Sequence, residues 1–445
     1  TEHKNEPRKK IINGLKYWGQ LLLLPVYWLS FLVPGNKNIW VFGSTFGRRF
    51  ADNPRYFYLY VSQHSAYQSD KLAQRVDAWK KEGHEWKANE DCLTIRAVWI
   101  SHNKEIVSFL QSNGYEAYYY HSLKGIWMAL RAGVYLFDNY SKDINFWQSG
   151  RALKVNMWHG IPLKKIQADN RFDLFRHPKN SWEKFKCFPR NLSDEKPSHY
   201  VLTTSEFMRP IFSSAFRTEH VLVSGYPRND RLISDVLENV LPELEEKELK
   251  KITSFRERDS RGKMVYYMPT FRDSEKKFFD VMQLESFQQF LKENHILFCV
   301  KLHPKSKLNA QFKELQGEAI QVIDKDADPY TFLEEADVLV TDYSSIYFDF
   351  LLTDKPVVFF DYDLEEYLSD TREMYFDYEA FTPGMKAKNQ EELEEALKEA
   401  VCHRKVTDMT ENEKYQEIKR NVFDETQNAA SPRMVQDIKD ILKIR

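Results

Sequence analysis

Histidines, basic residues and paired hydroxyls recur in this sequence directly after short apolar runs, a placement suited to gripping a phosphorylated ligand and moving a proton beside it. His159 heads the segment His159-Gly160-Ile161-Pro162-Leu163-Lys164-Lys165, which follows the apolar run 155–158. Arg228 and Asn229 come after the run 221–223 and the turn Gly225-Tyr226-Pro227. Thr270 and Arg272 follow 264–268 and Pro269, while Lys301 falls in the run 296–302, which leads into His303, Pro304 and Lys305. The last of the set, Thr341-Asp342-Tyr343-Ser344-Ser345, closes the run 338–340. A neutral imidazole can accept a proton from an attacking hydroxyl. Arginine, lysine and serine can donate hydrogen bonds to phosphate oxygens, the charged donors most strongly. Each residue alone has a plainer explanation: a strand-end histidine is more often structural, lysines and arginines are ordinarily solvated, and Ser344 or Ser345 stands where an N-cap belongs. It is their repetition at successive strand ends that favours a ligand.

The elements that must position these groups are short buried strands alternating with helices. Residues 338–340 and 357–360 are β-branched or aromatic runs bounded by polar residues, with helical spacing over 346–352 between them, so the region reads as strand, helix, strand. The first backbone N–H groups of such a helix lack partners and carry positive dipole charge, favouring an anion by about 0.3 to 2 kcal/mol. Further strands are predicted at 39–42, 98–101, 117–120, 134–137, 155–158, 201–203 and 221–223, with helices between them, such as 104–112. A second alternating series starts at 264–268. This pattern predicts two parallel α/β units, in which ligands bind beyond the carboxyl ends of the strands. Arg272, Lys301, His303 and Lys305 would then converge on the Ser344-Ser345 turn. We place the units at 38–240 and 241–445, with a polar and aromatic surface excursion at 170–199.

Composition narrows the function. With 445 residues the chain is long enough for two or three domains. The 64 basic and 66 acidic residues leave a net charge of -2, without the global basic field that nucleic-acid binding needs. Cys92, Cys187, Cys299 and Cys402 are too scattered for a disulfide framework or a Cys-x-x-Cys metal site. No acidic cluster has metal-ligand spacing, so the expected site does without a bound metal or cofactor. Residues 1–37 form a separate segment. Four basic residues in the first ten precede an apolar stretch whose clean run, 21–33, is too short to span a bilayer core of roughly 30 Å as a helix. Tyr17, Trp18, Tyr27 and Trp28 are the aromatics that settle at headgroup depth. We expect an interfacial membrane anchor here, with a signal or spanning segment and a buried core helix as the other readings.

The motifs His159-Gly160-Ile161-Pro162-Leu163-Lys164-Lys165, Gly225-Tyr226-Pro227-Arg228-Asn229-Asp230, Pro269-Thr270-Phe271-Arg272, Lys301-Leu302-His303-Pro304 and Asp342-Tyr343-Ser344-Ser345 resemble, in order, the signature of the CDP-glycerol glycerophosphotransferase family of teichoic acid and capsule assembly. Phe381-Thr382-Pro383-Gly384 and Asn428-Ala429-Ala430-Ser431-Pro432-Arg433 extend the resemblance from about residue 39 to the end, although Pro432 interrupts the last motif at a helix start. The resemblance implies a GT-B fold of two Rossmann-like domains with a nucleotide in the interdomain cleft, peripheral attachment to the cytoplasmic face of the membrane, and CDP-glycerol or CDP-ribitol as donor to a lipid-linked acceptor.

By the same resemblance His159 is the general base and His303 a second catalytic group. Arg228, Asn229, Thr270, Arg272, Lys301, Asp342, Tyr343, Ser344 and Ser345 would bind the donor, with Gly160, Lys164 and Lys165 on the acceptor side. A GT-B glycosyltransferase using a nucleotide sugar, or a noncatalytic membrane scaffold, are the competing classes.

Overall fold

The computed structural model describes residues 6–82, 84, 92–194, 198–272, 275–370, 373–402 and 409–444. Seven parallel strands form the first sheet: β1 Asn36–Phe42, β2 Arg96–Ser101, β3 Ala117–Tyr119, β4 Ala132–Phe137, β5 Leu153–Asn156, β6 Tyr200–Leu202 and β7 Val221–Leu222, in the order β3-β2-β1-β4-β5-β6-β7. Six more form the second: β8 Lys263–Tyr267, β9 Ile296–Val300, β10 Ile320–Val322, β11 Val338–Thr341, β12 Val357–Phe360 and β13 Met385–Ala387, in the order β10-β9-β8-β11-β12-β13. The central strands read as uninterrupted apolar runs because helices cover both of their faces. All four residues of β11 and all four of β12 are buried. Their register sets Leu339 between Tyr266 of β8 and Val357 of β12. The order in each sheet reverses beside its first strand, which puts the turns after β1 and β4, and after β8 and β11, at the crevice where such sheets hold ligands.

The halves are joined by more than their linker. One apolar cluster runs through both, taking in Trp158 and Tyr226 from the first and Tyr343 and Ile346 from the second. The last helix, Ala430–Leu442, returns to the first half, where the Asp437 carboxylate accepts the Ser224 hydroxyl and the Asp230 carboxylate receives the Ala430 and Ser431 N–H groups at 2.6 and 3.0 Å. Pro432 falls in its first turn, where a missing N–H leaves no bond unmade. The helix therefore begins at Ala430, and the proline does not delay it.

At the amino end, helix Glu6–Gly19, a 3-10 turn Gln20–Leu23 and helix Leu24–Ser30 lead into β1. Tyr27 stacks on Phe146 at 4.7 Å, and the Ser30 hydroxyl accepts the Gly150 N–H. The outer side is apolar and open, with Leu22 82%, Leu32 74% and Trp28 63% exposed. The excursion at 170–199 contains helix Ser181–Asp194, which joins this surface: Trp18 lies 4.9 Å from Phe185, and Tyr17 donates to the Lys186 carbonyl. Among the described residues no helix is long and apolar enough to cross a membrane.

Candidate active site

A cleft of about 400 Å³ lies between the carboxyl ends of the two sheets. The structure brings together in its lining His159, Gly160, Lys164, Thr270, Lys301, His303, Tyr343, Ser344 and Ser345.

His159 comes from the turn after β5, which is held rigidly from below. The Asn53 amide donates to the Met157 and Trp158 carbonyls at 3.1 and 2.9 Å, and the Asn156 side chain accepts the Trp158 N–H. Trp158 itself takes a left-handed φ of 51°. The His159 ring is exposed, and its Nδ1 lies 3.1 Å from the Asp138 carbonyl oxygen. A carbonyl can only accept, so Nδ1 carries the proton of the neutral ring, the tautomer whose lone pair lies on Nε2. Below this contact the Asp138 carboxylate accepts Ser44 Oγ and Thr45 N–H, and Asp143 accepts the Phe46 and Asn139 N–H groups. Burial, then the neighbouring Asp138, pushes the Asp143 carboxyl well above the usual range.

His303 presents the complementary tautomer from the opposite wall. Its Nδ1 accepts the Lys305 N–H at 3.3 Å, which leaves Nε2–H as a donor when the ring is neutral. Partial burial, then Lys305, lowers its affinity for a second proton. The ring lies 4.6 Å from Phe271. Ser345 occupies the N-cap position of helix Ile346–Phe350 but makes no side-chain capping bond. The plainer reading of this turn therefore accounts for the position of Ser345 and not for its hydroxyl. A methyl group added at Gly160 would lie 2.7 Å from Ser345 Oγ, so the two walls touch through a residue with no side chain.

Other predicted residues lie behind the cleft surface. The Arg272 guanidinium is held by Asp342 at 2.7 Å and by Asp363, and donates to the Thr270 carbonyl. Asp342 also accepts the Thr270 N–H, so this pair braces the turn that presents Thr270. Arg228 is fully buried between Asp52 of the first half and Asp349 of the second, at 2.8 and 2.7 Å, and Asn229 donates to the same Asp349. Burial alone would lower the Arg228 pKa, but the two carboxylates hold it well above its usual value. Neither Arg228, Asn229 nor Arg272 reaches the lining. Lys165 pairs with Glu373 at 2.9 Å, whereas Lys164 Nζ sits 3.4 Å from Thr270 Oγ1.

Two lining cations were missed in the sequence. Arg49 crosses from the first half to donate to the Asp326 and Ala327 carbonyls, and Lys325 lines the cleft beside it. Arg49 follows the Gly43 to Gly47 turn after β1, so the strand-end rule applied to the other motifs could have found it. Lys301 donates to the Asp324 carbonyl and, at 2.9 Å, to that of Ala327. Burial, then the nearby Arg49, brings its ammonium down to about 7. Among the described residues no group of three or more His, Cys, Asp or Glu side chains is placed to hold a metal ion.

Two parallel sheets meeting at a cleft of imidazoles, hydroxyls and cations define a two-part α/β protein equipped to bind an anion and to move a proton beside it. The family described as CDP-Glycerol:Poly(glycerophosphate) glycerophosphotransferase matches residues 26–440, and the chain belongs to that family. It is 27% identical over 390 residues to a teichoic acid poly(glycerol phosphate) polymerase of Bacillus spizizenii, covering 84% of this chain and 88% of that protein. A teichoic acid glycerol-phosphate transferase of Staphylococcus aureus is 27% identical over 377 residues, covering 82% and 84%. Among solved structures, the wall teichoic acid polymerase TagF in a crystal soaked with CDPG superposes with a TM-score of 0.65 at 21% identity, covering 98% of this chain and 99% of that one.

Proposed function

We propose that the cleft transfers glycerol phosphate or ribitol phosphate from its CDP-polyol to a hydroxyl of a membrane-linked acceptor, releasing CMP, and that the two halves form a GT-B fold. The observation that carries this is the pair of opposed histidines, one with its Nε2 lone pair free and the other with an Nε2–H to donate, in a cleft lined by hydroxyls and cations. The acceptor oxygen attacks the β-phosphorus, and its proton passes to His159 Nε2. A new P–O bond forms as the bond from the β-phosphorus to the bridging oxygen breaks, and CMP leaves with that electron pair. His303, Thr270, Ser344 and Ser345 hold the diphosphate, and Lys164, Lys301, Arg49 and Lys325 offset its charge, which grows on the transferring group and the leaving phosphate. Arg272 and Asp342 serve by fixing the Thr270 turn.

The exposed apolar side of the amino-terminal helices and of helix Ser181–Asp194 suits peripheral attachment at a membrane interface, which on this reading is the cytoplasmic face. The test is CMP release from CDP-glycerol and from CDP-ribitol with a lipid-linked acceptor, against UDP-sugars as controls. Turnover of a UDP-sugar with neither CDP-polyol consumed would refute the assignment. Flotation of a Leu22→Ser, Trp28→Ser protein with vesicles checks the attachment: binding as strong as that of the unaltered chain would place the anchor elsewhere.

A further inference from the structure

The first sheet carries a second cavity, about 670 Å³, at the amino-terminal ends of its strands. β5 alone puts about 13 Å of extended chain between this edge and the turn bearing His159, at roughly 3.3 Å per residue. Lys37, Arg151, His199 and His220 line it, and among the described residues its lining includes no aspartate or glutamate. Arg151 is exposed and, among the described residues, has no hydrogen-bond or ion-pair partner. Lys37 donates to the Leu442 carbonyl at 2.6 Å, which leaves further ammonium protons to offer. His199 Nδ1 accepts the Lys154 N–H at 2.9 Å, so a neutral ring there presents Nε2–H as a donor. Partial burial, then Lys154 and His220, disfavours a second proton on it. An anion entering the cavity would meet a fixed positive charge and several donors, with no carboxylate among the described lining residues to repel it.

The surroundings specify the anion further. Pro34 and Gly35, which line the cavity, follow directly on the exposed Leu32 and the helix bearing Trp28. A cationic hollow at the rim of an open apolar surface matches the layering of a lipid, with its phosphate just above its acyl chains.

We propose that this cavity is a phosphate-binding site, separate from the transfer cleft, that takes the phosphate of an anionic lipid headgroup or of a free phosphate ester. The lipid source rests on the interfacial reading of the amino-terminal helices, whereas the free source does not. The test uses the full chain and an Arg151→Ala, His220→Ala variant, both positions lying outside the cleft. In flotation with phosphatidylcholine vesicles, with and without phosphatidylglycerol, the unaltered protein should prefer the anionic vesicles. The variant should lose that preference by about fivefold for the arginine charge removed while binding neutral vesicles equally. In parallel, glycerol phosphate is titrated while the His199 and His220 ring resonances are followed. Loss of the anionic preference identifies a headgroup site. Ring shifts abolished by Arg151→Ala, with vesicle binding unaltered, identify a free phosphate ester. An unaltered anionic preference together with unmoved resonances overturns the proposal. If the unaltered protein floats with neither vesicle, the interfacial reading has failed, and the titration still decides the site.

Discussion

Cations at the junction of the two halves fall into two sets that differ in their partners. Arg55, Arg228 and Arg272 are nearly or wholly withdrawn from water and held by carboxylates: Glu245 and Asp328 for the first, Asp52 and Asp349 for the second, Asp342 and Asp363 for the third. Arg49 and Lys301, by contrast, rest on backbone carbonyls at the cleft, where their charge is not cancelled by a carboxylate contact. His159 and His303 are exposed there. A guanidinium saturated by carboxylates has few donors left for a ligand and joins segments of chain. One resting on neutral carbonyls still offers its field to an incoming diphosphate.

The sharpest separation comes from His159→Ala. As the proposed base it should cost 10² to 10⁴ in turnover, roughly the range for general-base loss, with an unchanged thermal melt because the ring is exposed. Near-normal CMP release by the folded variant would move His159 out of the reacting set. Arg228→Met should do the reverse. It leaves Asp52 and Asp349 without their shared cation, and breaking a buried pair in this way costs about 3 to 5 kcal/mol of stability, to be read by chemical denaturation. CDP-glycerol affinity in the folded fraction should hold. Weakened binding without lost stability would reassign Arg228 to the ligand.

Ser345→Ala comes next. Its hydroxyl makes no capping bond, so the melt should not move, whereas a lost hydrogen bond to charged phosphate weakens CDP-glycerol binding by about 1.5 to 3 kcal/mol, roughly tenfold to a hundredfold. Calorimetric titration beside the melt checks both halves of that statement. A lower melt with unaltered affinity would return the residue to helix structure.

The smallest effect is a pH dependence from Lys301. The folded lysine loses its proton near 7, while an unfolded one keeps it to about 10.4. Between those values the unfolded chain binds more protons, so stability rises with pH across that window. Ligand binding runs the other way: below 7 the cleft gains a positive charge, and CDP-glycerol affinity should increase by on the order of 1 kcal/mol. Lys301→Met should flatten this step, and a persistent step would assign it to another group.

Much of the architecture was legible because parallel strands buried on both faces announce themselves as apolar runs. The stretches at 98–101, 134–137, 338–340 and 357–360 fall within strands of the structure, the last with identical bounds. β10 and β13 escaped notice because a polar residue, Gln321 in one and Lys386 in the other, breaks each short apolar run. For the site, the strand-end rule led to the histidines, Thr270 and the serine pair, all of which line the cleft, but it could not sort arginines. Arg228 and Arg272 follow strands as Arg49 does. What distinguishes them is carboxylates 70 to 176 residues away, Asp342 and Asp363 for Arg272 and Asp52 for Arg228, contacts that only the packed chain reveals.

The chain passes between the two sheets twice, once between β7 and β8 and again where it runs from helix Glu413–Val422 back to Ala430–Leu442. The second passage is stitched to the end of β6, with the Thr204 hydroxyl donating to the Val422 carbonyl, the Ser205 hydroxyl to that of Asn421, and the Glu206 N–H to Asp424. The two passages lie side by side, since the Asp230 carboxylate that follows β7 receives the Ala430 and Ser431 N–H groups of the returning chain. The Arg228 bridge between Asp52 and Asp349 sits at the same junction, so the walls bearing His159 and His303 are held from one seam.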